Sequence, residues 1–367
     1  MILEVLKAFG LDGSETKYRL FGGGLINNTW KVSTVAGDFI LQQINTDIFA
    51  APEKIIDNIV RLQHYLEEKA PEYLFVGPVK TTAGQSVLRM DGFAFRCFPF
   101  IQKSITIEKV EHPKQAYEAA KQFGKFTCLL NDFDASSLSV SLPDFHNLNL
   151  RVSQYQKAVE LADDTRLSLA AGAIAEINRH MDIADRYNDI LKADILKIRT
   201  FHHDTKISNV LLHEDTGLGM CIIDLDTLMP GYFISDVGDM MRTYLSPVTE
   251  EETDFNLIAV RIDIFEAIYS GYMSEMGTVL TPSEQQLFIY SGQFMIFMQA
   301  LRFLTDFLNG DIYYGAAYPN HNLNRAQNQI HLLNRYIDSI ARFEEIIQDK
   351  NLSQQNINGN HDEENQT

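Results

Sequence analysis

Along the first hundred residues apolar side chains come in short runs divided by turn-forming residues, and beyond them the spacing lengthens to that of helices. Residues 18–21, 29–35 and 38–44 read as three strands, the last two joined at Ala36 and Gly37, and 73–79, 86–90 and 93–101 as three more. Residues 52–69 carry Ile55, Ile56, Ile59, Leu62 and Leu66 on one stripe with Pro52 at the start, which predicts a helix. Residues 1–10 predict a shorter amphipathic one. From residue 105 the pattern is helical over 113–130, 151–162, 167–190, 255–273, 282–309 and 323–348, interrupted by loops and short strands at 201–238. The expected class is α+β, with a small β-rich lobe over residues 1–104 and a larger helical lobe over 105–350. Residues 351–367 are Asn- and Gln-rich and almost without apolar side chains, so burial cannot offset their ordering entropy and a disordered tail is expected.

Composition narrows the functional classes. At 367 residues, 45% of them hydrophobic, the chain can fill more than one core, which suits two lobes. A net charge of −18 without any basic run argues against nucleic acid as a partner. Cys97, Cys128 and Cys221 are scattered and form no C-x-x-C, so they read as small buried hydrophobes in a reducing, cytoplasmic setting. The longest apolar stretch, 294–304, is broken by Gln299 and Arg302 and is too short to span a membrane. His112, His146 and His180 follow no metal-ligand spacing and are expected as surface or core residues.

The chemistry concentrates in residues 201–238. His202, Asp204 and Asn209 follow the H-x-D-x-x-x-x-N spacing of phosphoryl-transfer loops, with Lys206 between the acid and the amide. Such a loop aims one carboxylate at a substrate hydroxyl while the amide a few residues on holds Mg²⁺, and the lysine neutralises transferring phosphate oxygens. After a turn, Met220 to Ile223 reads as a buried strand with Asp224 at its end, where a second metal-binding carboxylate belongs. Taken singly, each of these residues has a structural role open to it, as a cap, a left-handed turn residue or a solvated cation. It is their order and spacing that point to phosphoryl transfer.

These segments resemble the aminoglycoside phosphotransferase and choline kinase family, and within it they are similar to the bacterial N-acetylhexosamine 1-kinases. The resemblance extends to residues 22–30, 39–45 and 301–324. It implies a two-lobed protein-kinase-like fold, ATP and Mg²⁺ as cofactors, Asp204 as the base that orients an acceptor hydroxyl, and Asn209 and Asp224 as metal ligands. Asp226 is left as a metal ligand or a loop stabiliser. The first acid of Asp236-x-x-Asp239 is implied to steady the catalytic loop, whereas Asp239 also reads as a helix N-terminal acid.

Gly22, Gly23 and Gly24, with Asn27 close behind, lie between two strands where backbone amides can approach a phosphate. Kinases carry a lysine on the third strand to meet those phosphates, and here Gln42 holds its register, hydrogen-bonding but uncharged. Phe98 and Ile101 border the expected hinge and are candidates for the adenine edge. Arg302 stands four residues before Asp306, the spacing of an intrahelical ion pair. The resemblance implies instead that Arg302, with Tyr313, binds a sugar. Three readings follow: a sugar 1-kinase for N-acetylhexosamines; another small-molecule kinase of the family, acting on an aminoglycoside, choline or homoserine; or a non-catalytic nucleotide-binding protein, prompted by the missing lysine. The partners expected are a nucleotide and a small molecule, with oligomeric state left open.

Overall fold

Period-two alternation gives each strand of the first lobe two faces, and each face finds its own cover. In the computed structural model, which describes residues 1–22, 27–49 and 51–364 and side chains as far as Ser353, α1 (Ile2–Ala8) precedes β1 (Lys17–Leu20), β2 (Asn28–Thr34) and β3 (Gly37–Ile44). Then come α2 (Pro52–Lys69), β4 (Leu88–Met90) and β5 (Phe93–Pro99). The five strands form an antiparallel sheet in the order β1-β2-β3-β5-β4. On one face Val32, Leu41, Phe95 and Cys97 pack against Val5, Leu6, Phe9 and Leu11. On the other, Ile44 and Ala94 join the stripe of α2 and through it the main core.

Residues 73–79 were expected as a strand and are not one. Gly77 and Pro78 interrupt them, proline having no N–H to give a ladder, and pairing shrinks to a single bridge between Val79 and Cys97.

The second lobe begins after β6 (Ser104–Ile105) with α3 (Pro113–Leu129), α4 (Leu148–Leu161), α5 (Asp164–Arg179) and α6 (Asp182–Lys192). The hairpin-rich middle supplies β7 (Arg199–Phe201), β8 (Val210–His213), β9 (Gly219–Ile222) and β10 (Met229–Gly231). Helices complete it: α7 (Phe233–Tyr244), α8 (Ile262–Met276), α9 (Pro282–Gln285), α10 (Phe288–Leu308), α11 (His321–Asp338) and α12 (Ile340–Glu364). The helix expected over 167–190 breaks at His180 and Met181, so that Ile183, Ala184, Tyr187 and Ile190 of α6 bury a stripe of their own. The closing helix breaks likewise at Ser339. Beyond it α12 stays helical to Glu364, across most of the stretch expected to be a disordered tail, with no proline in it to stop a helix begun at Ile340.

α10 runs through the core of this lobe and is buried on nearly every side. α3 and α8 pack backbone to backbone, because a Cβ at Gly271 would meet the carbonyl of Tyr117. No helix among the described residues is long and apolar enough to cross a membrane.

Candidate active site

Two strand pairings build the site. β7 pairs with β10 and β8 with β9, both antiparallel, which lays residues 202–209 beside 223–227. The Ile223 amide donates to the Asn209 carbonyl at 2.9 Å, a ring nitrogen of His202 lies 2.9 Å from the Ile223 carbonyl, and the Thr227 hydroxyl donates to the His202 carbonyl at 2.5 Å. His203 (φ 66°) and Asp224 (φ 60°) both take left-handed backbone, a conformation that costs a non-glycine residue energy and persists only where its surroundings hold it.

Asp204, Lys206 and Asn209 come together. The Asn209 amide donates to the Asp204 carbonyl at 2.9 Å and to its carboxylate at 3.1 Å, which fixes the amide's orientation and leaves its oxygen without a partner among the described residues. Lys206 Nζ lies 3.2 Å from the other Asp204 oxygen. Desolvation works against the Lys206 charge, but the Asp204 and Asp239 carboxylates outweigh it and raise the ammonium pKa. Among the described residues no protein group hydrogen-bonds to Asp224. It reaches solvent in a crowded cleft, where desolvation by the surrounding protein, then the Asp226 and Asp204 charges, push it up to about 7.

The acids at the start of α7 hold this loop from below. Asp236 accepts the amide protons of His202 at 3.0 Å and His203 at 2.8 Å, and Asp239 accepts that of Thr205 at 2.9 Å. Both are buried, so both members of the pair serve the loop and neither is merely a helix-terminal acid. Tyr244 adds a hydrogen bond from its hydroxyl to the Thr205 carbonyl at 2.6 Å. Arg242 joins Asp239 to Glu250, and Arg325 binds Glu250 from α11.

On the sheet side, Gly22 has φ 77°; Gly23 and Gly24 lie outside the described residues. Asn27 donates to an Asp226 oxygen at 3.2 Å and accepts the Asn45 amide at 2.9 Å. Gln42 faces Arg96 across β3 and β5, and its carbonyl oxygen accepts from Arg96 Nε at 2.9 Å. The two terminal nitrogens of Arg96 grip Asp226, one at 2.8 Å. Both oxygens of Asp226 are thus taken by the guanidinium, which leaves Asp224 as the open carboxylate. Phe98 and Ile101 pack with Val76, Leu211, Met220, Cys221 and Ile223 in one apolar patch.

The remaining candidates sit on the helical lobe. Arg302 and Asp306 form no ion pair: Asp306 accepts the backbone amides of Tyr313 at 2.7 Å and Tyr314 at 2.9 Å and an amide proton of Asn322. Those otherwise orphaned N–H groups hold the acid. Arg302 instead bonds to Gln299 at 3.2 Å and to the Tyr313 hydroxyl at 3.5 Å, with its guanidinium over the rings of Phe145, Tyr313 and Tyr314. It lines a cavity of about 430 Å³ that also carries Arg151, Lys157 and Thr305. Phe145 stacks on His146, whose Nδ1 lies 3.4 Å from that of His203, so a line of packed rings joins Arg302 to the 202–209 loop.

Sequence reasoning missed Arg96, Asn58 and the Arg242–Glu250–Arg325 chain. Arg96 had a signal, being the only charged residue in the apolar run of β5. Asn58 had a weaker one, a polar residue beside the stripe of α2; buried, it bonds to the backbone of Ser139 and Leu228.

Residues 17–259 match the model of a family described as the phosphotransferase enzyme family. Among solved structures, a microcompartment-associated aminopropanol kinase is 14% identical with a TM-score of 0.60, covering 93% of this chain and 97% of that one. An aminoglycoside phosphotransferase from Alicyclobacillus acidocaldarius is 12% identical with a TM-score of 0.62, covering 90% and 92%. A choline kinase from Cryptosporidium parvum is 13% identical with a TM-score of 0.53, covering 93% and 96%. At these identities the likeness is one of fold, and the fold is the two-lobed kinase-like one that the motifs implied.

Proposed function

We propose that this chain, which belongs to the phosphotransferase enzyme family and is an ATP-dependent phosphotransferase with an alcohol group as acceptor, transfers the γ-phosphate to the anomeric hydroxyl of a neutral sugar, an N-acetylhexosamine such as GlcNAc or GalNAc. The acceptor hydroxyl would donate to Asp204, a base that needs hydrogen-bond reach more than a raised pKa, because a loose transition state leaves the proton on the acceptor until late. Lys206, beside it, would meet the transferring phosphoryl oxygens.

The donors available suit magnesium: the oxygen of Asn209 and the carboxylate of Asp224, neither bonded to a protein donor among the described residues, are hard oxygen ligands. Among the described residues no group of three or more His, Cys, Asp or Glu is placed to hold a metal, so nucleotide phosphates and water would complete the coordination. When bound, the ion would draw charge from the β- and γ-phosphates. Gly22 to Gly24 and Asn27 would cover the phosphates, and Phe98 and Ile101 would flank the base on their apolar patch.

One observation carries the sugar reading: Arg302 is a cation that has no carboxylate partner among the described residues, boxed by aromatic rings beside a cavity whose one lining acid, Asp306, is spent on backbone amides. A cationic acceptor would meet Arg302, Arg151 and Lys157 there, and like charges repel it, whereas a neutral polyol finds donors and ring faces. The test is ADP release with Mg²⁺ over a panel of N-acetylhexosamines, other sugars, choline, ethanolamine, homoserine and aminoglycosides. Turnover confined to sugars, with the N-acetylhexosamines best, is expected; efficient turnover of choline or an aminoglycoside would overturn it.

A further inference from the structure

The strand lysine of kinases works as half of an ion pair: it meets the nucleotide phosphates while bonded to a glutamate of the helix behind the sheet. Here neither half is in its usual place. Gln42 stands at the lysine's register on β3. On α2, Glu53 is bound to Arg89 at the sheet edge, and the buried polar position is the neutral Asn58. A triphosphate brought beside Asp204 and Asp224 would be repelled by both, and Lys206, half-exposed and already paired with Asp204, offsets only part of that.

The pair exists one strand over. Arg96 is the direct cross-strand neighbour of Gln42, is 1% exposed, and holds Asp226 with both terminal nitrogens. Its guanidinium lies where three elements meet: Gln42 from β3, Asn27 from the end of the glycine-rich stretch, and Asp226 two residues past Asp224. Resting on the nucleotide reading above, we propose that Arg96 is this enzyme's phosphate-binding cation, with Gln42 and Asp226 as the residues that position it. Among the described residues three of its five N–H groups are spent, one on Gln42 and two on Asp226, and the other two have no protein acceptor and are assigned to phosphate oxygens. The planar fork explains the transfer between strands. A lysine bears a single charged nitrogen, whereas a guanidinium can hold its carboxylate and its neighbour and still present donors. Burial leaves the charge little screened by solvent.

The experiment compares ligands with and without phosphates. Calorimetric Kd values for ATP, ADP and adenosine are measured on the wild-type chain, Arg96→Met, Arg96→Lys and the double variant Gln42→Lys/Arg96→Gln, with thermal melting of each. Arg96→Met is expected to weaken ATP and ADP at least 30-fold and adenosine less than threefold. The double variant, which returns the cation to β3, is expected to recover at least tenfold of the ATP loss. If Arg96→Met fails to fold, Arg96→Lys carries the same test with a smaller expected loss, about fivefold, again confined to the phosphate-bearing ligands. Equal weakening of ATP and adenosine, or unchanged ATP affinity in a folded variant, would make the pair structural only and overturn the proposal. Failure of the wild-type chain to bind ATP at all would instead sink the nucleotide reading on which it rests.

Discussion

Asp236 accepts two consecutive backbone amides, those of His202 and His203, from a position more than thirty residues downstream of either. One buried carboxylate therefore fixes the entry to the 202–209 loop, and His203 can hold its left-handed backbone because its own N–H and that of His202 are tied. Replacing Asp236 with alanine leaves two buried amides unsatisfied, each worth about 1–3 kcal/mol. The expected result is a melting temperature lower by several degrees and turnover reduced at least tenfold. A variant of wild-type stability would show that the loop does not depend on this acid.

Asp204→Asn keeps the shape of the side chain and the contact with Asn209, but removes the base. Turnover is expected to fall about 10²- to 10⁴-fold, the range general-base catalysis supplies, while ATP affinity by calorimetry stays within about threefold. A near-normal rate would take Asp204 out of the role proposed for it.

Among the described residues Arg302 has no carboxylate partner, so its loss breaks no ion pair with them. Arg302→Ala is accordingly expected to raise KM for the proposed sugar acceptor far more than KM for ATP, with little change in melting temperature. Equal effects on both substrates would argue that the residue shapes the lobe and does not touch the acceptor.

Desolvation by burial pushes the His203 imidazole pKa down to about 4 from an ordinary value near 6.5, against the opposing pull of the Met229 carbonyl. Its folded-state pKa is depressed, so the unfolded chain binds the extra proton between those values. The contribution is present in full above pH 6.5 and is lost as pH falls toward 4, with a slope approaching about 1 kcal/mol per pH unit. Asp236, raised to about 6 chiefly by burial, works in the opposite direction, since its protonation favours the folded form. His203→Asn, which tolerates left-handed backbone, is expected to flatten the decline in melting temperature between pH 6.5 and 4 relative to wild type. An unchanged pH profile would show that His203 takes up its proton without unfolding cost.

The loop His202–Asp204–Asn209 and the acid Asp224 could be singled out as candidates because the chemistry proposed for them is local. A turn that carries a base and an amide five residues apart needs that spacing whatever surrounds it, and the strand before Asp224 announces itself as an apolar run. The helix α2 was read with its bounds for the same reason, since proline, stripe and end all lie within it. Residues 73–79 misled because their apolar content suits a strand, while Pro78 and Gly77 deny it a ladder.

What the sequence determined by itself is thus the class of reaction and the two kinds of lobe, together with the residue order and spacing from which the site is proposed. Only the tertiary structure decided that Asp306 turns from Arg302 to the amides of Tyr313 and Tyr314, and that the cation beside Gln42 is Arg96 holding Asp226. Spacing within one element is written in the chain, but which of several possible partners a charged side chain takes depends on what burial brings next to it. Arg96 and Asp226, 130 residues apart, become neighbours only when the sheet closes over the catalytic loop.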